Sequence, residues 1–194
     1  MIDPWQQFAT WYAAAQEQEP VLPDACALAT AELDDSGGVR PDVRMVLLKG
    51  FDARGFVFHT NSNSAKGRQL QQVPRAALDF HWKSLARQVR AQGTVTPVSS
   101  AESDAYFAGR PRLSQLSAWA SQQSQVLPSR ELFDRQMQEM ADRFPDVVPR
   151  PPHWGGYRLL PDWIEFWQER PGRQHLRERF TRAGDGWDCV LLYP

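Results

Sequence analysis

The sequence predicts a mainly β fold with inserted helices, an α+β arrangement in which short antiparallel strands form a Greek-key-like barrel. Short β-rich segments separated by turn residues recur over most of the chain, and only a few stretches have helical periodicity. No alternation of strands and helices and no GxGxxG turn indicates a dinucleotide-binding domain. With 194 residues, the chain suits a single domain spanning 1–194.

The first predicted element is an amphipathic helix over residues 1–19. Asp3 is a suitable N-cap, and Pro4 is favoured in a first helical turn. Apolar residues then recur at helical spacing: Trp5, Phe8, Trp11, Tyr12 and Ala15. The helix is expected to end before Pro20, because the residue preceding a proline avoids the helical conformation.

The strands are predicted from β-rich runs bounded by turn residues. They are expected at 26–33, 42–50, 55–61, 76–82, 87–98, 157–161, 163–168, around His175, and at 187–193. The second and third of these are predicted to form one hairpin across the turn FDARG. Helices are expected at 62–72, 99–109, 113–124 and 129–143, and a Pro-rich connector at 145–153 leads into the C-terminal strands of 154–194.

The basic residues favour small phosphorylated ligands over nucleic acid. The net charge is −1, and 19 of the 22 basic residues are arginines, whose planar fork suits phosphates and carboxylates. A nucleic-acid binder usually has a net basic domain with a broad patch, whereas these arginines lie in short clusters inside apolar segments. Ordinary surface ion pairs are the alternative explanation for each arginine taken singly.

Several other classes of protein find no support in the sequence. No apolar run approaches the roughly 18 residues of a membrane-spanning helix, and the start of the chain lacks the basic and apolar regions of a secretion signal. Cys26 and Cys189 stand alone, without metal-ligand spacing, so neither a disulfide framework nor a metal site is expected. We therefore expect a cytoplasmic protein that holds no metal.

Two segments in the first half of the chain could each bind a phosphate. In RMVLLK, Arg44 and Lys49 place a cation at each end of an apolar strand, where each could contact an anion. The alternative is that both side chains only extend from the strand ends into solvent and bind nothing. In HTNSNSAKGR, a strand enters a turn and then a helix that carries Lys66. A phosphate could be bound here by Thr60, Ser64 and the N–H groups at the start of the helix. The same residues are equally compatible with an ordinary capped helix that binds no phosphate.

A third segment, YFAGRPRLSQLSAWASQQS, could form a second phosphate site. Gly109 can end one helix and Ser114 can cap the next, with Tyr106 and Arg110 placed close by. The amides at the end of the second helix could bond the edge of a heterocycle, or simply be solvated.

A fourth segment near the C-terminus combines three cationic side chains. Arg173, His175 and Arg177 occur at a period of two, which would place them on one face of an extended strand. Such a face requires an anion or an electron-rich ligand, because the three groups otherwise repel one another. No nucleophile elbow or paired base supports hydrolytic catalysis.

Taken together and in order, these segments resemble the pyridoxamine 5′-phosphate oxidase family. The motifs RMVLLK, FHTNSNSAK, RQVRAQG, YFAGRPRLSQLSAWASQQS, WGGYRLLPDWIEFWQ and RQHLR carry the resemblance from about Asp3 to Pro194. The resemblance implies an FMN-binding split β-barrel that works as a homodimer with two flavins at the subunit interface. It also implies oxidation of pyridoxine 5′-phosphate or pyridoxamine 5′-phosphate to pyridoxal 5′-phosphate, with oxygen consumed and hydrogen peroxide released.

The resemblance also assigns roles to particular residues. The residues that would bind FMN are Arg44, Met45, Val46, Leu47, Leu48, Lys49, His59, Thr60, Lys66, Gln88, Gln123, Ser124, Trp167 and Arg177. Among them, Arg44 and Lys66 would hold the FMN phosphate, and Gln88 would bond the ring. The substrate would be bound by Lys49, Tyr106, Arg110, Ser114, Arg173 and His175, of which the last two would cover its reacting carbon as the catalytic pair.

The chain departs from the family pattern at a few positions. His59 stands where an aromatic residue is usual, Ala65 stands where a base is usual, and RQHLR replaces RLHDR. The chain also begins where the family's first helix begins, so the segment that can fold over the substrate is expected to be absent.

Two other functions remain open from the sequence. One is a split-barrel flavin oxidase of another heterocycle, such as a phenazine precursor, although such a substrate needs no second phosphate site. The other is a non-catalytic carrier of flavin or pyridoxal phosphate, which would not need Arg173 and His175.

Overall fold

The structure is a computed structural model that describes residues 3–194. Within that range, nine strands form one antiparallel sheet, and five helices accompany it. The strands are β1 (Ala25–Leu33), β2 (Val39–Leu47), β3 (Gly50–Asp52), β4 (Gly55–Asn61), β5 (Arg75–Trp82), β6 (Arg87–Pro97), β7 (Trp154–Gln168), β8 (Leu176–Ala183) and β9 (Gly186–Leu191). The helices are α1 (Pro4–Gln18), α2 (Ala65–Gln72), α3 (Ser100–Ala108), α4 (Arg112–Ala120) and α5 (Arg130–Arg143).

Helix α1 forms as the sequence predicts and covers one face of the sheet. The Asp3 carboxylate accepts a hydrogen bond from the Trp5 backbone N–H at 3.1 Å, which confirms Asp3 as the N-cap. Phe8 is fully buried and meets the rings of Phe56 and Phe80, with centroids 4.9 and 5.2 Å away. Residues 1–2 of the predicted helix lie outside the described residues. No described helix is long and apolar enough to cross a membrane.

Strand β7 organises the sheet, whose hydrogen-bonded order is β2-β1-β5-β6-β7-β4-β3. It pairs with β6 along most of its length, with β4 along its first half and with β8 along its second half, while β9 extends β8. The sheet is antiparallel throughout and is not closed within residues 3–194. Since β4 and β8 occupy different halves of β7, they lie toward opposite ends of the molecule.

The two faces of the sheet differ in burial. One face carries the main core, including Leu28, Leu78, Phe80, Ile164 and Phe166, all buried against α1 and its neighbours. We call the other side the open face; by the strand registers it carries Ala27, Val43, Met45, Asp79, Gln88, Arg90, Trp163, Glu165, Trp167, Arg177 and Arg179. On that face Val43 and Met45 are each 64% exposed.

Helices α3, α4 and α5 build a second, smaller core. Phe107, Leu116 and Trp154 are buried together there, with Val148 from the stretch 145–153. This Pro-rich stretch forms no helix or strand. The second core places α3 to α5 beside β4 and the start of β7, where they can form one wall of a cleft.

The predicted hairpin between 42–50 and 55–61 is wrong for most of its first strand, since only Lys49 and Gly50 of that strand pair with β4. Strand β2 pairs with β1 across the turn at 34–38, while β4 pairs with the three-residue strand β3. Asp34 stabilises the first turn by accepting hydrogen bonds from the N–H groups of Ser36 and Gly38, at 3.0 and 2.8 Å. The turn at 34–38 lets β2 pair with β1 along its whole length, whereas FDARG contributes Phe51 and Asp52 to β3.

The two strands predicted at 157–161 and 163–168 are one continuous strand, β7. Its register with β6 shifts by a β-bulge between Gln92 and Gly93, opposite Pro161. A Cβ at Gly93 would lie 1.9 Å from the Leu160 carbonyl oxygen, so the close approach requires glycine. Proline suggests a strand break in the sequence, but the bulge accommodates its missing N–H.

Ser114 does not cap the helix that it was expected to cap. Helix α4 begins at Arg112 with Pro111 at the N-cap, so Ser114 lies inside its first turn. The helix also ends at Ala120 rather than at residue 124. Pro111 lies just before the first helical residue, where its missing N–H removes no intrahelical hydrogen bond.

Candidate active site

A cavity of about 800 Å³ lies between the strands β2 and β4 and the helices α3 to α5. It brings together eleven residues that the sequence singled out: Met45, Val46, Leu47, Lys49, His59, Thr60, Lys66, Tyr106, Arg110, Ser114 and Gln123. Asn61 and Trp154 also line it, and the sequence analysis did not single them out. The cavity therefore gathers residues from five separate parts of the chain, namely 45–49, 59–66, 106–123, 130–137 and 154.

At one side of the cavity, Lys66 provides a buried cation. Its ammonium donates to Thr60 Oγ1 at 3.1 Å, to Ser64 Oγ at 3.3 Å and to Gln123 Oε1 at 3.4 Å. Burial, together with the nearby Arg44 charge, lowers the pKa of Lys66. No carboxylate of residues 3–194 forms a salt bridge with it, so this side of the cavity suits an anion such as a phosphate.

Ser64 and the start of α2 complete this side of the cavity. Ser64 Oγ accepts the Gly67 backbone N–H at 3.3 Å, which makes Ser64 the N-cap of α2. A Cβ at Gly67 would lie 2.2 Å from the Ser62 carbonyl oxygen, so the turn packs directly against the helix. Ser124 Oγ accepts the Ala65 N–H at 3.1 Å and ties the segment after α4 to this helix start.

Arg44 lies near this cation but does not line the cavity. Its guanidinium pairs with Asp42 and donates to Gln69 Oε1 at 2.9 Å and to the Leu28 carbonyl oxygen at 3.3 Å. The hydrogen bond from Gln69 to Asp42, followed by the charge of Arg44, lowers the pKa of Asp42. The Arg44 charge is therefore partly compensated inside the protein.

On another side of the cavity, Arg110 is the main cation. Its guanidinium carbon lies 4.6 Å from the centroid of the Trp154 ring, and its Nη1 is buried without a hydrogen-bond partner. Burial lowers the pKa of Arg110. Lys49, by contrast, pairs with Asp24 at 2.7 Å. An incoming anion would find Arg110 unpaired but would have to compete with Asp24 for Lys49.

His59 belongs to the same side of the cavity as Arg110. Its ring stacks on Tyr106 with centroids 4.1 Å apart and planes 16° apart, and Trp154 lies parallel at 5.3 Å. Both ring nitrogens are buried without partners, and burial, followed by the Arg110 charge, lowers the pKa of His59 to about 4. The imidazole is therefore neutral near pH 7 and acts as an aromatic ring in this stack.

Three predicted cofactor residues lie elsewhere, in one row across the open face. Gln88 on β6 pairs with Trp167 on β7, which pairs with Arg177 on β8. The cavity borders the other end of β7, where Gly156 pairs with His59. Gly156 and Trp167 are eleven residues apart, about 35 Å along an extended strand. One chain therefore does not bring this row to its own cavity.

Arg173 and His175 are not on an extended strand, so the predicted common face with Arg177 is wrong. Residues Pro171–Arg173 form a 3₁₀ turn, Arg173 has φ +60°, and β8 begins only at Leu176. His175 Nδ1 accepts the Arg170 N–H at 3.3 Å, and its ring lies 4.6 Å from that of Trp167. The proline and glycine before Arg173 favour this turn over a continued strand.

The remaining predicted residues also lie outside the main cavity. Leu48 is buried in the main core. Ser124 has φ +73° and borders, with Gln123, a second cavity of about 470 Å³ at the end of α4. Glu165, which the sequence analysis did not single out, is buried among three arginines. A carboxylate in the apolar run WIEFW was the signal that could have found it. Among the described residues, no cluster of side chains could hold a metal ion.

Comparisons with known proteins define the class first. The family model described as "Pyridoxamine 5'-phosphate oxidase" matches residues 13–144, and one described as "Pyridoxine 5'-phosphate oxidase C-terminal dimerisation region" matches residues 154–194. The fold and these matches define an FMN-dependent oxidoreductase built on a split β-barrel, and the C-terminal region indicates a homodimer. Within this class, the chain belongs to the pyridoxamine 5′-phosphate oxidase family.

Curated relatives extend the match over nearly the whole chain. The chain is 54% identical to a pyridoxine/pyridoxamine 5′-phosphate oxidase of Caulobacter vibrioides, over 99% of this chain and 85% of the relative. It is 51% identical to the enzyme of the same name from Gluconobacter oxydans, over 99% of this chain and 94% of that one.

Solved structures confirm the fold. PhzG from Burkholderia lata 383, crystallised with tetrahydrophenazine-1-carboxylic acid, is 33% identical with a TM-score of 0.91, over 99% of this chain and 93% of that one. A pyridoxamine 5′-phosphate oxidase-related, FMN-binding protein of Nostoc punctiforme is 20% identical with a TM-score of 0.78 over the full length of both chains, and shows the fold alone.

Proposed function

We propose that this protein oxidises pyridoxine 5′-phosphate or pyridoxamine 5′-phosphate to pyridoxal 5′-phosphate, with O2 as the electron acceptor. Two electrons and two protons leave the substrate at its 4′ group and reduce O2 to hydrogen peroxide. With the amine substrate, water enters and ammonia leaves. The names of the relatives at 54% and 51% identity support this choice of substrate. The cytoplasmic location expected from the sequence stays a prediction.

The observation that carries the proposal is the presence of two separate cationic groups in one cavity. Lys66 is surrounded by neutral oxygens at one side, and Arg110 has an unpartnered Nη1 at another. The two groups share no hydrogen-bond partner. Buried cations without compensation favour anionic ligands. One cavity that binds two phosphorylated molecules, FMN and the substrate, accounts for both groups.

The residues around Lys66 fit the FMN phosphate. Lys66 and the N-terminus of α2 would contact it, with Arg44 adding positive charge from behind. When bound, FMN supplies the ring that accepts the hydride. The chain's own residues then bind and orient: the strand segment Met45–Lys49 would lie along the flavin, and His59 and Thr60 would flank it.

The other side of the cavity fits the substrate phosphate. Arg110, Tyr106 and Ser114 line the cavity there, and Lys49 can join them once its bond to Asp24 is exchanged. These groups would fix one end of the substrate and so set the position of its 4′ carbon. Orientation of this kind is a large part of catalysis when the cofactor carries out the chemistry.

The homodimer explains why the remaining predicted residues lie far from this cavity. Met45 both lines the cavity and stands exposed on the open face. A second subunit lying on the open face would therefore border the cavity. Gln88, Trp167 and Arg177, with the turn that carries Arg173 and His175, would then come from the partner subunit and complete the flavin and substrate sites.

A related oxidase acting on a phenazine precursor is the second candidate. The likeness to PhzG, at 33% identity and a TM-score of 0.91, favours it. The carboxylate of such a substrate could also pair with Arg110, so the choice of the first candidate rests on the names of the relatives at 54% and 51% identity. A non-catalytic carrier finds no comparable support.

The deciding experiment measures peroxide release and oxygen uptake by the FMN-loaded protein. We expect turnover with pyridoxine 5′-phosphate and none with unphosphorylated pyridoxine at the same concentration, because only the phosphate ester engages Arg110. Turnover of tetrahydrophenazine-1-carboxylic acid without turnover of either phosphorylated substrate would overturn the proposal in favour of the second candidate.

A further inference from the structure

Glu165 lies in the middle of β7 on the open face and is only 2% exposed. Arg90 and Arg179 are its direct neighbours on β6 and β8, and all three guanidinium groups of Arg90, Arg177 and Arg179 donate to its carboxylate. Burial acts to raise the pKa of Glu165, but the hydrogen bonds from Arg179 and Arg177 outweigh it and hold the pKa below its usual range. The carboxylate therefore stays ionised.

The two carboxylate oxygens of Glu165 are divided unequally among the arginines. Oε2 is shared, since it accepts from Arg90 Nη2 at 3.0 Å and from Arg179 Nε and Nη2 at 3.1 and 2.7 Å. Oε1 serves Arg177 alone, accepting from its Nε at 3.0 Å and its Nη2 at 2.8 Å. One oxygen of a buried carboxylate is thus dedicated to one guanidinium.

Arg177 is held at a second point as well. Its Nη1 donates to the Tyr193 carbonyl oxygen at 2.9 Å. Three of its five N–H donors are therefore used, and the plane of the group is fixed. The remaining hydrogens of its Nη atoms are free to reach a ligand beside Trp167, its neighbour on β7.

We propose that Glu165 is a positioning residue for the flavin site, holding the Arg177 guanidinium in the orientation that meets FMN across the subunit interface. The inference rests on the proposed function, because that function assigns Arg177 to FMN. Glu165 itself touches no ligand. A buried ion pair is a weak source of stability, whereas fixing the geometry of a binding group is a role that a buried carboxylate performs well.

The test is a titration of the apoprotein with FMN, monitored by flavin fluorescence, in the wild type and in single and double variants. Glu165→Gln keeps the shape but removes the charge, and we expect it to weaken FMN binding about 10-fold. Glu178→Gln is the matched control: Glu178 lies on β8 between Arg177 and Arg179 but accepts from Gln7, at 3.0 Å, on the other face. We expect this control to stay within about 2-fold of the wild type.

The double variant separates positioning from general stability. If Glu165 acts through Arg177, then Glu165→Gln in an Arg177→Ala background should change FMN affinity by less than about 2-fold. A loss as large as in the wild-type background would overturn the proposal, because Glu165 would then act independently of Arg177. Unchanged FMN affinity in Arg177→Ala would also overturn the proposal. Peroxide release by the wild type tests the proposed function separately, so the two failures can be told apart.

Arg177→Lys tests the same idea if Glu165→Gln does not fold. Lysine keeps the positive charge but lacks the planar fork that Oε1 holds. We expect Arg177→Lys to lose about as much FMN affinity as Arg177→Ala, some 10- to 100-fold. Wild-type affinity in Arg177→Lys would show that orientation by Glu165 is not required, and would overturn the proposal.

Discussion

Arg110 is the side chain on which the choice of a phosphorylated substrate depends most directly. Its Nη1 has no partner, so a substrate phosphate would gain a charge-assisted hydrogen bond there. Such bonds are worth about 1.5–3 kcal/mol, so Arg110→Met should raise KM for pyridoxine 5′-phosphate about 10- to 100-fold. Steady-state kinetics at saturating FMN would measure this change.

A matched control for Arg110 is available on α5. Arg135 is exposed and does not line the cavity, so Arg135→Met should leave KM unchanged. Arg110→Met should also keep its affinity for FMN, because Lys66 lies at the other side. A variant that lost FMN but kept its KM would place Arg110 in the cofactor site instead.

His59 makes the stability of the protein depend on pH. Its pKa is lowered from 6.5 to about 4 in the fold, mainly by burial. Between pH 6.5 and pH 4 the unfolded chain binds more protons than the native one, so the free energy of unfolding falls as the pH is lowered through this range. The contribution of neutral His59 to stability is therefore complete above pH 6.5 and is lost as the pH falls toward 4. The charged groups that also influence the pKa of His59 are Arg110, Glu102 and Lys49.

Replacing His59 with phenylalanine should remove this dependence while keeping an aromatic ring in the stack. We expect the free energy of unfolding of the wild type to drop between pH 7 and pH 5 by on the order of 1 kcal/mol more than that of His59→Phe. Urea denaturation at the two pH values would measure the difference. Equal drops in both proteins would mean that His59 is not the buried neutral group described above.

At the scale of elements, the start of α2 is fixed by close contact with the turn before it. Replacing a helical glycine with alanine usually stabilises a helix by about 1 kcal/mol. At Gly67 the added Cβ would meet the Ser62 carbonyl oxygen at 2.2 Å, so the contact should outweigh that gain. We expect Gly67→Ala to destabilise the protein by about 1–3 kcal/mol and to weaken FMN binding, as measured by thermal melting and titration.

Gly109→Ala is the corresponding control for Gly67→Ala. Its Cβ would have no neighbour closer than 3.8 Å, and its φ is negative. We expect it to change stability by less than about 0.5 kcal/mol. If Gly67→Ala also changed stability by less than about 0.5 kcal/mol and left FMN binding unchanged, the close packing of the turn on α2 would not be needed for the phosphate side of the cavity.

The turn Pro171–Arg173 is the other element whose geometry matters for function. Arg173 has φ +60°, a conformation that glycine adopts without strain. Arg173→Gly should therefore keep the turn and lower kcat/KM by about 100-fold, equivalent to ~2.7 kcal/mol of transition-state stabilisation. Kinetics with FMN-saturated protein would test this, and unchanged turnover would remove Arg173 from the substrate site.

At the scale of the whole molecule, dimerisation and FMN binding should be linked. Val43 is 64% exposed on the open face and is not among the predicted site residues, so Val43→Lys should weaken the dimer without touching the cavity. We expect its FMN affinity to fall about 10-fold at low protein concentration and to recover as the protein concentration rises. Analytical ultracentrifugation and FMN titration would follow the two equilibria.

Val147 provides the matched control for the substitution at Val43. Val147→Lys, at an exposed position in the Pro-rich stretch, should leave both equilibria unchanged. In the wild type, FMN at 100 times its dissociation constant should add about 2.7 kcal/mol of stability. A monomeric Val43→Lys that bound FMN at full affinity would contradict a site shared between subunits.

The sequence by itself determined the fold class, helix α1, helix α2 to within three residues of its start, and eleven of the residues that line the cavity. These features depend on caps, periodicity and turn residues, which act within a few positions and can be recognised locally. The order of the motifs along the chain was sufficient to indicate the family, because all six occur together.

Only the tertiary structure decided which strands pair and how charges are compensated. The pairing of β2 with β1, the 3₁₀ turn at Arg173 and the bonds of Arg44 to Asp42 and Gln69 depend on competing contacts that local patterns do not rank. The same holds for Glu165, whose three arginines come from two different strands. The length of β7 keeps its two ends too far apart for one flavin, which supports the proposed division of the site between two subunits.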